Sequence, residues 1–430
     1  ATSKDKIATY HDEQGKYRNH WGIASNVPPD ASAIQVEPTD FVHVTKWTRT
    51  QSNRLLFDFG VSIFDVEYTE LYQPEVTGTT AKVFDIDAIR KSTVYNVLDQ
   101  STNQNASAWN SPADHFSLVR TFGGAVSYVT GTHSMRFGGA LTNGNRRNVI
   151  VYTGDVAPIT FNAGAPVSVT LRLPRDQREG IKRDLGLFAQ DKWSLGRVTL
   201  NLGVRYSWMS NPVDNHNQLY NIVNFATDTN FSKVPNIMAK NPSKMNFDPR
   251  IGLAYDPFAD HKTSIRAGFG MFHQLITPAD YTPAYWNHPP WSSFQAGLQI
   301  NPAAAPTFPA VPDVNTLATL PIPTSSPAWD YQSVVKTPYN MQYNITIQRE
   351  MLKGTILSVG YVGSHGVSQL TQTELNKVAL GPNGLTVNTT NGNGGMNVAG
   401  TAVQLWNAGN GRLNPKLGSF VGFIPTTTTR

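Results

Sequence analysis

The sequence has no cysteine in its 430 residues. Disulfide frameworks, Cys-ligated zinc and thiol chemistry are therefore excluded. It is also poor in charge. Asp, Glu, Lys and Arg make up 15% of the chain, against about 25% in an average domain. Mean hydropathy is nevertheless −0.31, so apolar residues have not taken their place. A disordered chain, which needs high charge and few aromatics, does not fit. Nor does a helical membrane protein, because no run of about 18 apolar residues occurs. No block of Lys or Arg is present to carry nucleic-acid binding, and the net charge of +5 is spread along the length. The chain begins at Ala1 with neither Met nor signal peptide and stops soon after the apolar stretch from Phe420 to Ile424. We expect a piece of a longer protein.

Turn formers and aromatics fill the gap: 34 Gly and 28 Pro, with 9 Trp, 16 Tyr and 20 Phe. That composition points to an all-β protein. Period-two alternation confirms the direction, in pairs of runs joined by short turns. The pairs are 41–50 with 55–68, 116–129 with 134–143, 183–193 with 198–208, 247–255 with 263–273, and 339–350 with 355–363. In 198–208 the residues Val198, Leu200, Leu202, Val204, Tyr206 and Trp208 form one apolar row. Thr199, Asn201, Gly203, Arg205 and Ser207 form the other. Ile265, Ala267, Phe269 and Met271 likewise alternate with Ser264, Arg266, Gly268 and Gly270.

These five hairpins predict about ten strands, each near the length of a tilted strand crossing a bilayer, about 9–11 residues. The turns within pairs are short. The segments 144–182, 209–246 and 274–338 are long and rich in Asn, Pro, Thr and Ser. That asymmetry is the layout of an outer-membrane barrel with long extracellular loops. Aromatics fall at strand ends, at Tyr68, Trp193, Tyr206, Trp208, Tyr255, Tyr339 and Tyr361, as two interfacial girdles would require. Glycines recur on the polar rows at Gly60, Gly138, Gly203, Gly268 and Gly360, which fits strand curvature and close contact with an internal plug. A large soluble β protein remains the alternative at this point, although no 20–50-residue repeat favours a propeller. The segments 302–328 and 381–400 read as surface loops.

No catalytic residue, cofactor site or metal site emerges, and we expect no enzyme. The histidines form no H-x-x-x-H pair. Asp85, Asp87, Glu67 and Glu70 lack the spacing of a calcium loop. Asp256 and Asp260 flank a turn. Gly363-Ser364-His365-Gly366 imitates a nucleophile site without a strand-turn-helix elbow. The candidate ligand contacts are Tyr285, Trp286, His288 and Trp291, whose rings can stack on sugars or planar ligands.

Two segments carry a family resemblance. Asp184 to Trp193 (DLGLFAQDKW) followed by Leu200 to Tyr206 (LNLGVRY) resembles the paired strands of TonB-dependent outer-membrane receptors. Phe247 to Tyr255 with Thr263 to Phe272 resembles the next hairpin. Tyr339 to Glu350 and Leu357 to Gly366 resemble the Oar-like subgroup. The resemblance implies an antiparallel up-and-down transmembrane barrel of about 22 strands, of which residues 1–430 are one partial barrel domain. It implies residence in the Gram-negative outer membrane, surrounded by lipid, and import of a scarce small ligand, peptide or glycan. The partners implied are an N-terminal plug and, through the full-length protein, TonB. The plug, the TonB box, the regulatory-like N-terminal domain and the terminal strand have no counterpart in this sequence. A passive porin-like channel and a cell-surface or soluble glycan-binding module are the alternatives.

Overall fold

A computed structural model describes residues 4–275 apart from 78–83, 172–173, 259 and parts of 216–243, then 336–374 and a few short pieces on either side of that segment. The wall is a single meander. Its strands are β1 (Asp5–Trp21), β2 (Ala33–Thr50), β3 (Leu55–Tyr72), β4 (Ala113–Thr130), β5 (His133–Ile150), β6 (Arg175–Leu195), β7 (Val198–Met209), β8 (Asn246–Tyr255), β9 (Thr263–His273), β10 (Tyr339–Leu352) and β11 (Thr355–Val367). Each pairs antiparallel with the next in sequence order. The tightest turns are made possible by glycine. Gly131, Gly196 and Gly354 have φ of +53°, +57° and +81°, the left-handed region that two-residue hairpin loops demand.

Residues directly opposed in an antiparallel pair share a face. One outward row therefore runs Val61, Phe122, Leu141, Leu185, Trp208 across five strands. Another runs Leu202, Ile251, Phe269, Tyr343. These side chains cover no core. Leu202 is 41% exposed and Ile251 52%, which fits a face solvated by lipid. On β5 the apolar band lies between His133 and Asn143. That distance is about 33 Å along the strand at 3.3 Å per residue, or about 25 Å in height at barrel tilt. The buried apolar residues lie instead at the loop end. Leu71, Tyr72, Ile89, Ala108, Val149 and Val151 form one cluster, and Met209, Leu219, Val234 and Met238 another.

All five expected hairpins are present, with longer strands. Three features differ from expectation. An eleventh strand, β1, precedes them. Its outward positions Ile7, Thr9, His11 and Glu13 carry almost no apolar signal, so period-two alternation does not mark the strand. The segment 144–182 is wall at both ends, since β5 runs to Ile150 and β6 starts at Arg175. The remainder folds as a hairpin, Val156–Asn162 with Ala165–Leu171. The segment 73–112 is a further long loop, with a short helix at Ile86–Arg90 capped by Asp85. Of the expected girdle aromatics, Tyr68 points inward and stacks on His115 at 4.3 Å between centroids. The pairing path is open, running from β1 to β11 without closure. Residues 302–327 and 381–385 lie outside the described residues, as does most of 274–338 and 386–400.

Candidate functional site

The inward face is the functional surface of this wall. Its central row runs Arg136, Gln190, Gly203, Arg250, Gly270, Gln342 across six neighbouring strands. The row floors an open trough of about 650 Å³. Arg136 Nη2 lies 3.5 Å from Asp58 Oδ2, two strands away. Lys46 Nζ is also 3.5 Å from Asp58, and Thr48 Oγ1 donates to it at 3.1 Å. Arg205 Nε donates to Ser207 Oγ at 3.0 Å. Arg250 lies over the Phe272 ring at 4.8 Å. Lys192 and Arg266 share this face. Asp248 is buried and engaged elsewhere, accepting from His273 N at 3.0 Å and lying 2.6 Å from its Nδ1. The trough is therefore cationic.

Several lumenal glycines are not bare. Phe188 covers Gly138, Arg205 covers Gly186, Phe272 covers Gly270 and Asn344 covers Gly268. Of the glycines expected to face a plug, Gly138 and Gly268 are thus covered by side chains of the wall itself. Gly60 and Gly203 meet nothing nearer than 3.5 Å.

Nearer the loops the same face becomes a polar shelf. Tyr68, His115, Asn148 and Gln177 form one cross-strand row. Burial and the neighbouring guanidinium groups of Arg146 and Arg175 push the His115 imidazole down to about 4, so it is neutral at physiological pH. His115 Nδ1, both amide atoms of Asn148 and Gln177 Oε1 are buried without a hydrogen-bond partner among the described residues. One step toward the membrane, Arg146 Nη1 meets Glu179 Oε1 at 3.3 Å beside a hollow of about 310 Å³. Above the shelf, burial raises the Glu70 carboxyl, opposed by the indole N–H groups of Trp109 and Trp21.

Tyr285, Trp286, His288 and Trp291 lie outside the described residues. The discounted groups take ordinary roles: Asp256 pairs with His261 in its turn, and Ser364 and His365 lie on β11. Sequence alternation placed Arg205 and Arg266 on the polar rows. Sequence reasoning missed Arg250 and Lys192, although the alternation of β6 and β8 places both on the polar side. The shelf was missed because its signal is burial, which strand periodicity does not carry.

An apolar outward band, a polar cationic lumen and short turns opposed to long folded loops define an outer-membrane β-barrel wall. The family model described as outer membrane beta barrel domain matches residues 2–415, and the chain belongs to that family. No curated protein sequence matches. Among solved structures, the outer membrane transporter YddB from Escherichia coli is similar at 13% identity and a TM-score of 0.52. The match covers 99% of this chain and 41% of that one. The ferric yersiniabactin uptake receptor FyuA from Yersinia pestis matches at 8% identity and a TM-score of 0.44, over 86% of this chain and 43% of that one. The chain thus spans less than half the length of these structures. The fold is that of TonB-dependent outer-membrane receptors, and the protein resides in the outer membrane.

Proposed function

We propose that this chain is part of the barrel wall of a ligand-gated importer of the outer membrane, plugged at rest and driven through TonB. The observation that carries the reading is the cationic lumenal row, with Arg136, Arg250 and their neighbours lining a trough rather than closing on one another. A plug bearing carboxylates would complete it, and the Asn148 amide and Gln177 Oε1, buried without partners among the described residues, are suited to the polar groups of a plug or ligand. The imported solute is a scarce nutrient taken up from the loop side. A passive porin-like channel is the second reading, since arginines facing a lumen also serve an open pore.

Conductance separates the two. The full-length protein in a planar bilayer is expected to stay non-conducting until its plug is removed. Steady open-channel current from the intact protein would establish the passive channel instead. Loss of growth-supporting uptake when TonB is deleted is the companion measurement, and uptake indifferent to TonB would refute energy coupling.

A further inference from the structure

The bulge in β6 gathers charge on the outer face. Ile181 pairs with Gly144 and Asp184 with Thr142, so Lys182 and Arg183 together stand opposite the single residue Asn143. Ile181 and Asp184 both line the lumenal hollow. The two residues between them are turned outward, and both are exposed. On the far side of Asn143, β4 places Arg120. Three cations thus occupy one outward row across three strands.

The height of this row gives it meaning. The next outward row toward the turns is Val61, Phe122, Leu141, Leu185 and Trp208, the last that is apolar on all five strands, whereas the cation row keeps an apolar residue at Ile63. The cations therefore sit where acyl chains end and headgroups begin. Farther out, Arg147 and Arg178 already engage Asp176 at 3.1 and 2.7 Å. Arg120, Lys182 and Arg183 have no ion pair among the described residues. Asp65, a diagonal step from Arg120, offsets one charge of three. Like charges on adjacent strands repel, so the row is stabilised when an anion lies between them.

We propose that Arg120, Lys182 and Arg183 form a binding site for the phosphate groups of a phosphorylated lipid in the outward-facing leaflet. The guanidinium groups take phosphate oxygens in bidentate fashion and the ammonium adds a point charge. The acyl chains of the same lipid lie along Phe122, Leu141 and Leu185, with Trp208 at the interface. A free anion would satisfy the charge and leave the apolar strip unused, so the occupant is the lipid.

The test uses the full-length protein in phosphatidylcholine nanodiscs doped with bis-phosphorylated lipid A, or with the same lipid stripped of phosphate. Lipid retained on the protein after detergent washing is quantified. The phosphorylated form should be enriched by about tenfold. The triple variant Arg120→Gln, Lys182→Gln, Arg183→Gln should lose that preference, while Arg266→Gln, on the lumenal face, should keep it. If the triple variant fails to insert, Lys182→Gln and Arg183→Gln singly, at exposed positions, should each lower the enrichment. No preference in the wild type, or a preference that survives these substitutions, would overturn the proposal. Release of the lipid by inorganic phosphate alone would also overturn it, because the site would then belong to a free anion.

Discussion

Lumenal glycines differ in what occupies the space above them, and the difference is measurable one residue at a time. A Cβ built on Gly138 would meet Gly124 O at 2.6 Å and the Phe188 ring at 2.7 Å. The carbonyl cannot withdraw without breaking the β4–β5 ladder, and the ring cannot lift without losing its seat. Gly138→Ala should destabilise the protein by about 1–3 kcal/mol, the usual range for overpacking. At Gly203 the nearest atom is Gln190 Cβ at 3.5 Å, ordinary contact, and Gly203→Ala should fall within about 0.5 kcal/mol of wild type. Equilibrium unfolding in urea of the detergent-solubilised protein compares the two. Equal losses would mean that glycine is required at both for curvature rather than for clearance. Gly186 is a third case. Its space is taken by the Arg205 guanidinium, a flexible group, so a methyl there displaces a lumenal charge at little cost in stability.

At the scale of the element, β7 shows how alternation becomes orientation. Leu202 opposes Ile251 on one side, and both are outward and exposed. Asn201 opposes Lys192 and Gly252 on the lumenal side. Arginine at Leu202 must bring its charge into the hydrocarbon, and Leu202→Arg should cost about 2–4 kcal/mol near the bilayer midplane. Asn201→Arg adds one more cation to a wet face and should be tolerated. The two variants share a host strand and a backbone neighbourhood, so folding yields in outer-membrane vesicles read the face directly. Comparable yields would refute the assignment of faces. In β1 the same rule is silent, since His11 and Glu13 lie on the outward face at 3.6 Å from each other. Register against β2 alone reveals that strand.

For the whole molecule the consequence is sidedness. The turns at 51–54, 131–132, 196–197, 256–262 and 353–354 lie at one end of the meander, and the folded loops lie at the other. These 430 residues contribute no cysteine of their own to thiol labelling. In intact cells expressing the full-length protein, a membrane-impermeant maleimide should label Asn162→Cys, at the tip of the hairpin after β5. It should leave Arg197→Cys, in the β6–β7 turn, unlabelled until the cells are opened. Reversed labelling would invert the orientation. The open path from β1 to β11 leaves a row of backbone groups at each edge, which hydrocarbon does not tolerate. Closure therefore requires strands beyond the eleven described.

Composition and alternation determined the fold class and five hairpins. For the strands of those hairpins they also determined which row is lipid and which is lumen, because a face solvated by hydrocarbon is apolar at most alternate positions. The DLGLFAQDKW and LNLGVRY segments were enough to indicate the family. Three-dimensional pairing decided the rest. Arg136 meets Asp58 only because the pairing of β3, β4 and β5 brings two residues far apart in sequence within reach. Lys182 and Arg183 reach the outer row only because a bulge places both opposite Asn143. Asn148 and Gln177 read as ordinary polar strand residues until their burial is seen. Period two fixes the face of a side chain, whereas its neighbours depend on register between strands, and register is set by turns, bulges and the packing of the loops.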